Sequence, residues 1–199
     1  MDQRFWDEKY LTQDQLWSGA PNGVLVVEAA DLSPGQALDL GCGEGGDALW
    51  LAGRGWLVTA VDISRVALER AAAAASETKV CWTHGDITVS PPPAGAFDLV
   101  SALYFPLPRS APAALQSLLA AVAPGGTLLV VGHDLDSSHD HHIDPAIDPG
   151  AYYRPDEIAE LRDGAWTVRV DETRPRVSPA PPGSGHVNDI VLKARKETG

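Results

Sequence analysis

Three short signatures in this sequence pair an acid with glycine or with the end of an apolar run. In Ala37-Leu38-Asp39-Leu40-Gly41-Cys42-Gly43-Glu44-Gly45-Gly46, the run breaks into glycines, and helix-compatible residues resume at Asp47. A backbone without Cβ atoms lets a ligand come close, and the helix that follows offers free N–H groups. Asp62 closes a second apolar run, and Gly85-Asp86 follows a third. Gly41-x-Gly43-x-x-Gly46 with Asp62 about twenty residues on fits the dinucleotide fingerprint. It fits equally a nucleoside ligand without pyrophosphate, because a ribose diol needs the same carboxylate. Further candidates follow later runs: Tyr104-Phe105-Pro106-Leu107-Pro108-Arg109, then residues 133–144, which hold four of the six histidines. Imidazole and carboxylate in one loop could take a divalent metal. The ligand order is irregular, however, and a solvated polar loop is the simpler reading, so no metal is expected.

Elements that could position these groups are legible in the same residues. Ala37–Leu40, Trp56–Val61, Lys79–Thr83, Phe97–Leu103 and Thr127–Gly132 read as five short strands. Helical patterns stand between most of them, at Asp47–Arg54, Arg65–Ala75 (with Ser64 as N-cap) and Ala113–Val122, the last closed by Pro124-Gly125-Gly126. This alternation predicts βαβ units and a mainly parallel sheet, whose ligands bind beyond the carboxyl ends of the strands. Pro91-Pro92-Pro93 marks a surface loop. Past residue 132 the texture changes: a polar loop to Gly150, a short helix at Pro155–Leu161, and β-prone segments at Trp166–Asp171 and Asp189–Ala194 around a proline-rich loop. Strands joined without a helix are antiparallel neighbours or belong to different sheets.

Ahead of the first strand, residues 2–18 carry Phe5, Trp6, Tyr10 and Trp17 among charges. They read either as a helix packed on the domain edge or as a lid over the ligand cleft.

A chain of 199 residues and no second apolar cluster indicate one domain: a cap segment (1–34), a binding core (35–132) and a substrate-side loop with the last strands (133–199). A formal charge of −12 and no basic run argue against nucleic acid as a partner. No apolar run approaches the ~18–20 residues of a membrane span, and the N-terminus is too polar for a signal peptide. Cys42 and Cys81 have no metal-ligand or CxxC spacing and read as reduced thiols in a cytoplasmic protein. Cys42 reads as small filler in a tight turn.

The ordered series Asp39-x-Gly41-x-Gly43-x-Gly45, Asp62, Gly85-Asp86, Phe97-Asp98-Leu99-Val100 and Pro124-Gly125-Gly126 resembles the class I S-adenosylmethionine-dependent methyltransferases. Phe5-Trp6-Asp7-x-x-Tyr10 and Trp17-Ser18-Gly19-x-Pro21-Asn22 resemble the N-terminal cap of its small-molecule members of the tellurite-resistance and thiopurine type. The resemblance implies an α/β fold: a Rossmann-like, doubly wound, seven-stranded sheet, mainly parallel with an antiparallel C-terminal strand. It implies S-adenosyl-L-methionine as cofactor and a small-molecule methyl acceptor as partner. By position, the backbone of Gly41, Cys42 and Gly43 would lie along methionine and ribose. Asp39 would hold the amino group, Asp62 the ribose hydroxyls, and Ile63 would pack on the adenine. Asp86 and Ile87 would meet the adenine edge, Ala102 and Leu103 would sit near the sulfonium, and Trp17 of the cap would also contact the cofactor. Each acid also has a structural reading: Asp39 as a turn cap, Asp62 as a helix N-cap, Asp86 as a turn residue.

The expected function is methyl transfer to a small nucleophile such as a thiol or a chalcogen oxyanion, neither of which needs a general base. No base is unambiguous, and His133 and Tyr104 are the acceptor-side candidates. The alternatives are an NAD-dependent oxidoreductase, resting on the glycine fingerprint and Asp62 alone, and a non-catalytic cofactor- or metal-binding protein.

Overall fold

The structure is a computed structural model that describes residues 1–75, 79–135, 148–161, 164–177 and 187–199. Seven strands form one sheet: β1 (Gln36–Leu40), β2 (Leu57–Asp62), β3 (Val80–His84), β4 (Phe97–Leu103), β5 (Val122–His133), β6 (Trp166–Pro175) and β7 (Asn188–Lys196). Their order is β3-β2-β1-β4-β5-β7-β6. β1 pairs in parallel with β2 on one side and β4 on the other. The winding therefore reverses between β1 and β4, which opens a crevice there at the carboxyl edge. β7 runs antiparallel to both β5 and β6 and is the single reversed strand.

The helices are α1 (Gln3–Tyr10), α2 (Gly23–Glu28), α3 (Gly46–Gly53), α4 (Arg65–Ala74), α5 (Pro112–Ala121) and α6 (Pro155–Leu161). Local chemistry sets their ends. Asp2 caps α1 by accepting from the Phe5 N–H. Ser64 caps α4 by accepting from the Ala67 N–H, as its position predicts. α3 starts behind Gly45, which is left-handed at φ 86°. Alternate residues of each strand feed two cores. Leu38, Leu40, Val100 and Leu128 pack with Leu115 and Leu118 of α5 and Ile158 of α6. Ala37, Leu99, Leu129 and Val191 pack with Leu25 of α2 and Ala48 and Leu51 of α3.

Pro124-Gly125-Gly126 does not form a separate turn. It is absorbed into β5, and the pairing with β4 jumps from Phe97↔Val122 to Leu99↔Thr127. A Cβ on Gly126 would lie 2.9 Å from the carbonyl oxygens of Ala123 and Phe97, so this irregularity requires glycine. β6 is longer than expected and takes in Arg174 and Pro175. Cys81 is exposed on β3, an edge strand, although it stands inside an apolar run. Among the described residues no helix is long and apolar enough to cross a membrane.

Candidate functional site

β1 delivers Asp39 into the protein interior and ends at the glycine turn. Gly41 and Gly43 have φ of 73° and 52°, a region that favours residues without Cβ. The N–H groups of Gly41 and Cys42 both donate to the Val61 carbonyl, at 2.8 and 3.1 Å, tying the turn to β2. Asp62, at the end of β2, completes the tie. Its Oδ2 accepts from the Gly43 N–H and its Oδ1 from the Ser64 N–H, each at 2.8 Å. Asp62 therefore does not cap α4, a task Ser64 performs. A carboxylate has about four acceptor sites, and the backbone N–H of Ile63 also bonds this one, so acceptor capacity remains for a ligand.

Three carboxylates crowd this turn. Asp39 is 3% exposed, Asp62 7% and Asp47 8%. Asp47 accepts from the backbone N–H (2.6 Å) and side-chain amide (2.8 Å) of Asn22. Asp39 Oδ1 accepts from the Ser101 hydroxyl at 3.1 Å, while Oδ2 is buried without a hydrogen bond. Burial first, and then the charges of Asp47 and Asp62, push the Asp39 carboxyl well above its usual range, eased by Ser101 and the Ala48 N–H. Burial likewise raises Asp47 and Asp62. Among the described residues no lysine or arginine forms an ion pair with any of the three. Such a cluster is complementary to a cationic ligand and repels an anionic one.

A cleft of about 240 Å³ opens beside the turn. Gly41, Asp62, Ile63, Asp86 and Ile87 are among the residues that line it. Asp86 Oδ1 also accepts from the N–H and hydroxyl of Thr88, at 2.8 and 2.7 Å, so it holds its own turn as well. Asp39, Cys42, Gly43, Ala102, Leu103 and Trp17 do not line this cleft. Cys42, Ala102 and Leu103 are buried, and burial, then Asp39, pushes the Cys42 thiol well up, which suits filler and not a nucleophile.

Gly43 lies under the cap. A Cβ there would sit 2.8 Å from the Tyr10 hydroxyl and 3.5 Å from the Trp17 ring, and one on Gly41 would sit 2.6 Å from the Phe105 ring. The Trp17 indole N–H donates to that Tyr10 hydroxyl at 3.1 Å.

α1 packs on α4, where Asp7 accepts from the Ser64 hydroxyl at 2.6 Å, and the strap behind it covers the turn. Glu44 holds that strap: its carboxylate accepts from the N–H groups of Leu16 and Trp17 and from Arg70. Glu44 and Asp47 were not among the expected site residues, although a lone charge inside a glycine turn is a signal for such a role. Tyr10 and Phe105 gave weaker signals, since aromatics at these spacings usually serve a core. Glu44→Ala is expected to destabilise the protein by about 1–3 kcal/mol, because two backbone donors and Arg70 lose their acceptor. Urea unfolding checks this, and a change below about 0.5 kcal/mol would refute the assignment.

On the acceptor side, the Tyr104 hydroxyl donates to Asp189 at 2.9 Å, and its ring stacks on His133 with centroids 4.5 Å apart. Burial, then Asp189, raises the Tyr104 phenol above its ordinary value, which opposes a role as base. Residues 136–144 of the His/Asp loop lie outside the described residues. Among the described residues no group of three or more His, Cys, Asp or Glu could hold a metal ion.

Residues 37–126 match the family model described as a methyltransferase domain. An uncharacterised methyltransferase of Mycobacterium tuberculosis is 37% identical over 122 residues, covering 59% of this chain and 61% of that protein. The 2-heptyl-1-hydroxyquinolin-4(1H)-one methyltransferase of Mycobacteroides abscessus is 31% identical over 140 residues, 67% of this chain and 60% of that protein. The chain therefore spans less than two thirds of the length of either relative. Among solved structures, the N-methyltransferase NodS from Bradyrhizobium japonicum, in complex with S-adenosyl-L-homocysteine, has a TM-score of 0.73 at 18% identity. That likeness, one of fold, covers 98% of this chain and 99% of the other.

Proposed function

We propose that this chain, which belongs to the class I S-adenosylmethionine-dependent methyltransferases, catalyses methyl transfer to a small-molecule acceptor. One observation carries the reading: the buried group Asp39, Asp47 and Asp62 around a glycine turn, with one Asp39 oxygen left without a hydrogen bond. S-Adenosylmethionine brings an ammonium and a sulfonium to such a pocket. NAD would bring a pyrophosphate, whose negative charges the three carboxylates repel, so the same glycines serve the methyl donor better.

The residues fit the cofactor in kind. Asp39 offers its unused oxygen to the ammonium, and Asp62 offers its remaining acceptor capacity to the ribose hydroxyls. Ile63, Ile87 and Asp86 take the adenine. Gly41, Cys42 and Gly43 present bare backbone, and Ala102 and Leu103 provide a dry wall. When bound, the cofactor supplies a methyl group already activated on sulfur, so the acceptor's lone pair forms the new bond while the carbon–sulfur pair leaves with the sulfur. The protein's share is alignment and exclusion of water. Tyr10, Trp17 and Phe105 close over the turn and serve that exclusion.

The Mycobacteroides abscessus relative supports one acceptor class, since its name specifies a hydroxylated heteroaromatic substrate. We extend that class to this chain: a flat ring bearing an acidic hydroxyl. Such an acceptor ionises without a strong base.

Thermal shift tests the cofactor. A ligand at ~100 times its dissociation constant adds about 2.7 kcal/mol, and each kcal/mol is worth roughly 2–4 °C for a chain of this size. S-Adenosylhomocysteine is expected to raise the melting temperature by about 5–10 °C, and NAD to leave it in place. The reverse result would overturn the reading.

A further inference from the structure

Four side chains from separate segments meet beyond the carboxyl ends of β4 and β5. Tyr104 follows β4 and packs on the core that holds Cys42 and Ala48 of the glycine-turn region. His133 ends β5 and is the cross-strand partner of Asp189 on β7. Arg176 follows β6, and its Nη1 donates to Asp189 Oδ1 at 3.2 Å, the same oxygen that accepts from Tyr104. The Arg176 guanidinium lies over the Tyr104 ring, 4.9 Å from its centroid. Asp189 and the ring thus hold Arg176 from two directions, in a pair whose side chains are 11% and 3% exposed.

Two features of this cluster have no structural use. Tyr104 is the one non-glycine residue with positive φ (54°) among the described residues. An aromatic residue in the left-handed region costs about 1–3 kcal/mol, and such strain gathers at ligand sites. The Nε–H of Arg176 is buried and has no hydrogen-bond partner among the described residues. A buried donor left unmade is costly, and a ligand oxygen would relieve it.

We propose that Arg176 binds the methyl acceptor: its Nε–H donates to an oxygen on the acceptor ring and so selects oxygen-bearing acceptors over thiols. This rests on the methyltransferase reading above. Asp189 and Tyr104 are positioning residues that aim the guanidinium, and His133 stands beside it at the end of β5. The role is one of recognition, so it acts on acceptor binding and leaves the cofactor's carboxylate pocket untouched.

The test is calorimetry on the full chain loaded with S-adenosylhomocysteine, titrated with 1-hydroxyquinolin-4(1H)-one and, separately, with thiophenol. Wild type is expected to bind the hydroxyquinolone. Arg176→Lys keeps a cation for Asp189 but removes the Nε–H. It is expected to weaken hydroxyquinolone binding about tenfold or more, the worth of one charge-assisted hydrogen bond. Affinity for thiophenol and for S-adenosylhomocysteine should stay within about twofold. If the lysine variant does not fold, R176Q/D189N removes both buried charges together and carries the same expectation. Hydroxyquinolone affinity equal to wild type, or no binding of it by the loaded wild type, overturns the inference. Failure of wild type to take up S-adenosylhomocysteine instead overturns the methyltransferase reading.

Discussion

Replacing Asp62 with alanine is expected to weaken S-adenosylhomocysteine binding about 100-fold or more, an effect of about 3 kcal/mol. Two contributions act together. The ribose loses the acceptors for both hydroxyls, each a charge-assisted bond of about 1.5–3 kcal/mol. The turn also loses its brace, because the Gly43 and Ser64 N–H groups both end on this carboxylate. Asp62→Asn discriminates between the two. Its amide oxygen can still accept from one of these N–H groups, while its NH2 meets the other as a second donor, so an intermediate loss is expected. Calorimetry on the three proteins decides the matter. Affinity in the alanine variant within about threefold of wild type would mean that the ribose lies elsewhere.

Asp39→Asn should move stability and binding in opposite directions. The folded protein holds the Asp39 carboxyl above its ordinary value of 3.8, through burial and then the charge of Asp47. Such a group costs nothing at pH values where it is protonated in both folded and unfolded chains. As pH rises through the folded value, the unfolded chain is already ionised and the folded one resists, so stability falls. The ligand-free protein therefore loses stability from this site as pH rises above the ordinary carboxylate range. The asparagine removes the buried charge, keeps the oxygen that accepts from Ser101, and should stabilise the ligand-free protein at pH 8 by about 1–3 kcal/mol. At pH 5 the gain should be smaller.

The same substitution deprives the ammonium of its counter-charge and should weaken S-adenosylmethionine by at least about tenfold. For wild type, cofactor affinity should rise with pH over this window, since the cation favours the ionised carboxyl. Thermal melts at pH 5 and 8, with and without cofactor, measure both arms. A variant that is less stable than wild type at pH 8 when ligand-free, or that binds the cofactor unchanged, would refute the assignment of Asp39.

The legibility of this site follows the range of the interactions that build it. Ser64 as a cap, the span of β4 and the span of α6 are contained in a few adjacent residues, and each stands where the sequence places it. Pro124-Gly125-Gly126 misleads because its local signal is a turn, while the demand it meets is a register jump against Phe97, some thirty residues earlier in the chain. The exposure of Cys81 is likewise not written in its neighbours. An apolar run does not say whether its strand lies inside the sheet or at its edge, and β3 lies at the edge.

The reversed strand near the C-terminus is implied only by the family resemblance; by itself the sequence determined the strand and helix alternation and the glycine turn with Asp39 and Asp62 at its two sides. These rest on period, on backbone freedom at glycine, and on acids at strand ends, which are properties of neighbours. Only the tertiary structure decided that Tyr10 and Phe105 lie against the glycines, that Glu44 holds the strap, and that three buried carboxylates crowd the turn with no lysine or arginine paired to them among the described residues. It alone brought Arg176, Asp189, Tyr104 and His133 together. Tyr104 and Asp189 stand 85 residues apart in the chain and make one hydrogen bond. No periodicity encodes such a pair, because it forms only once β7 has inserted between β5 and β6 and packing has fixed which strand ends face one another.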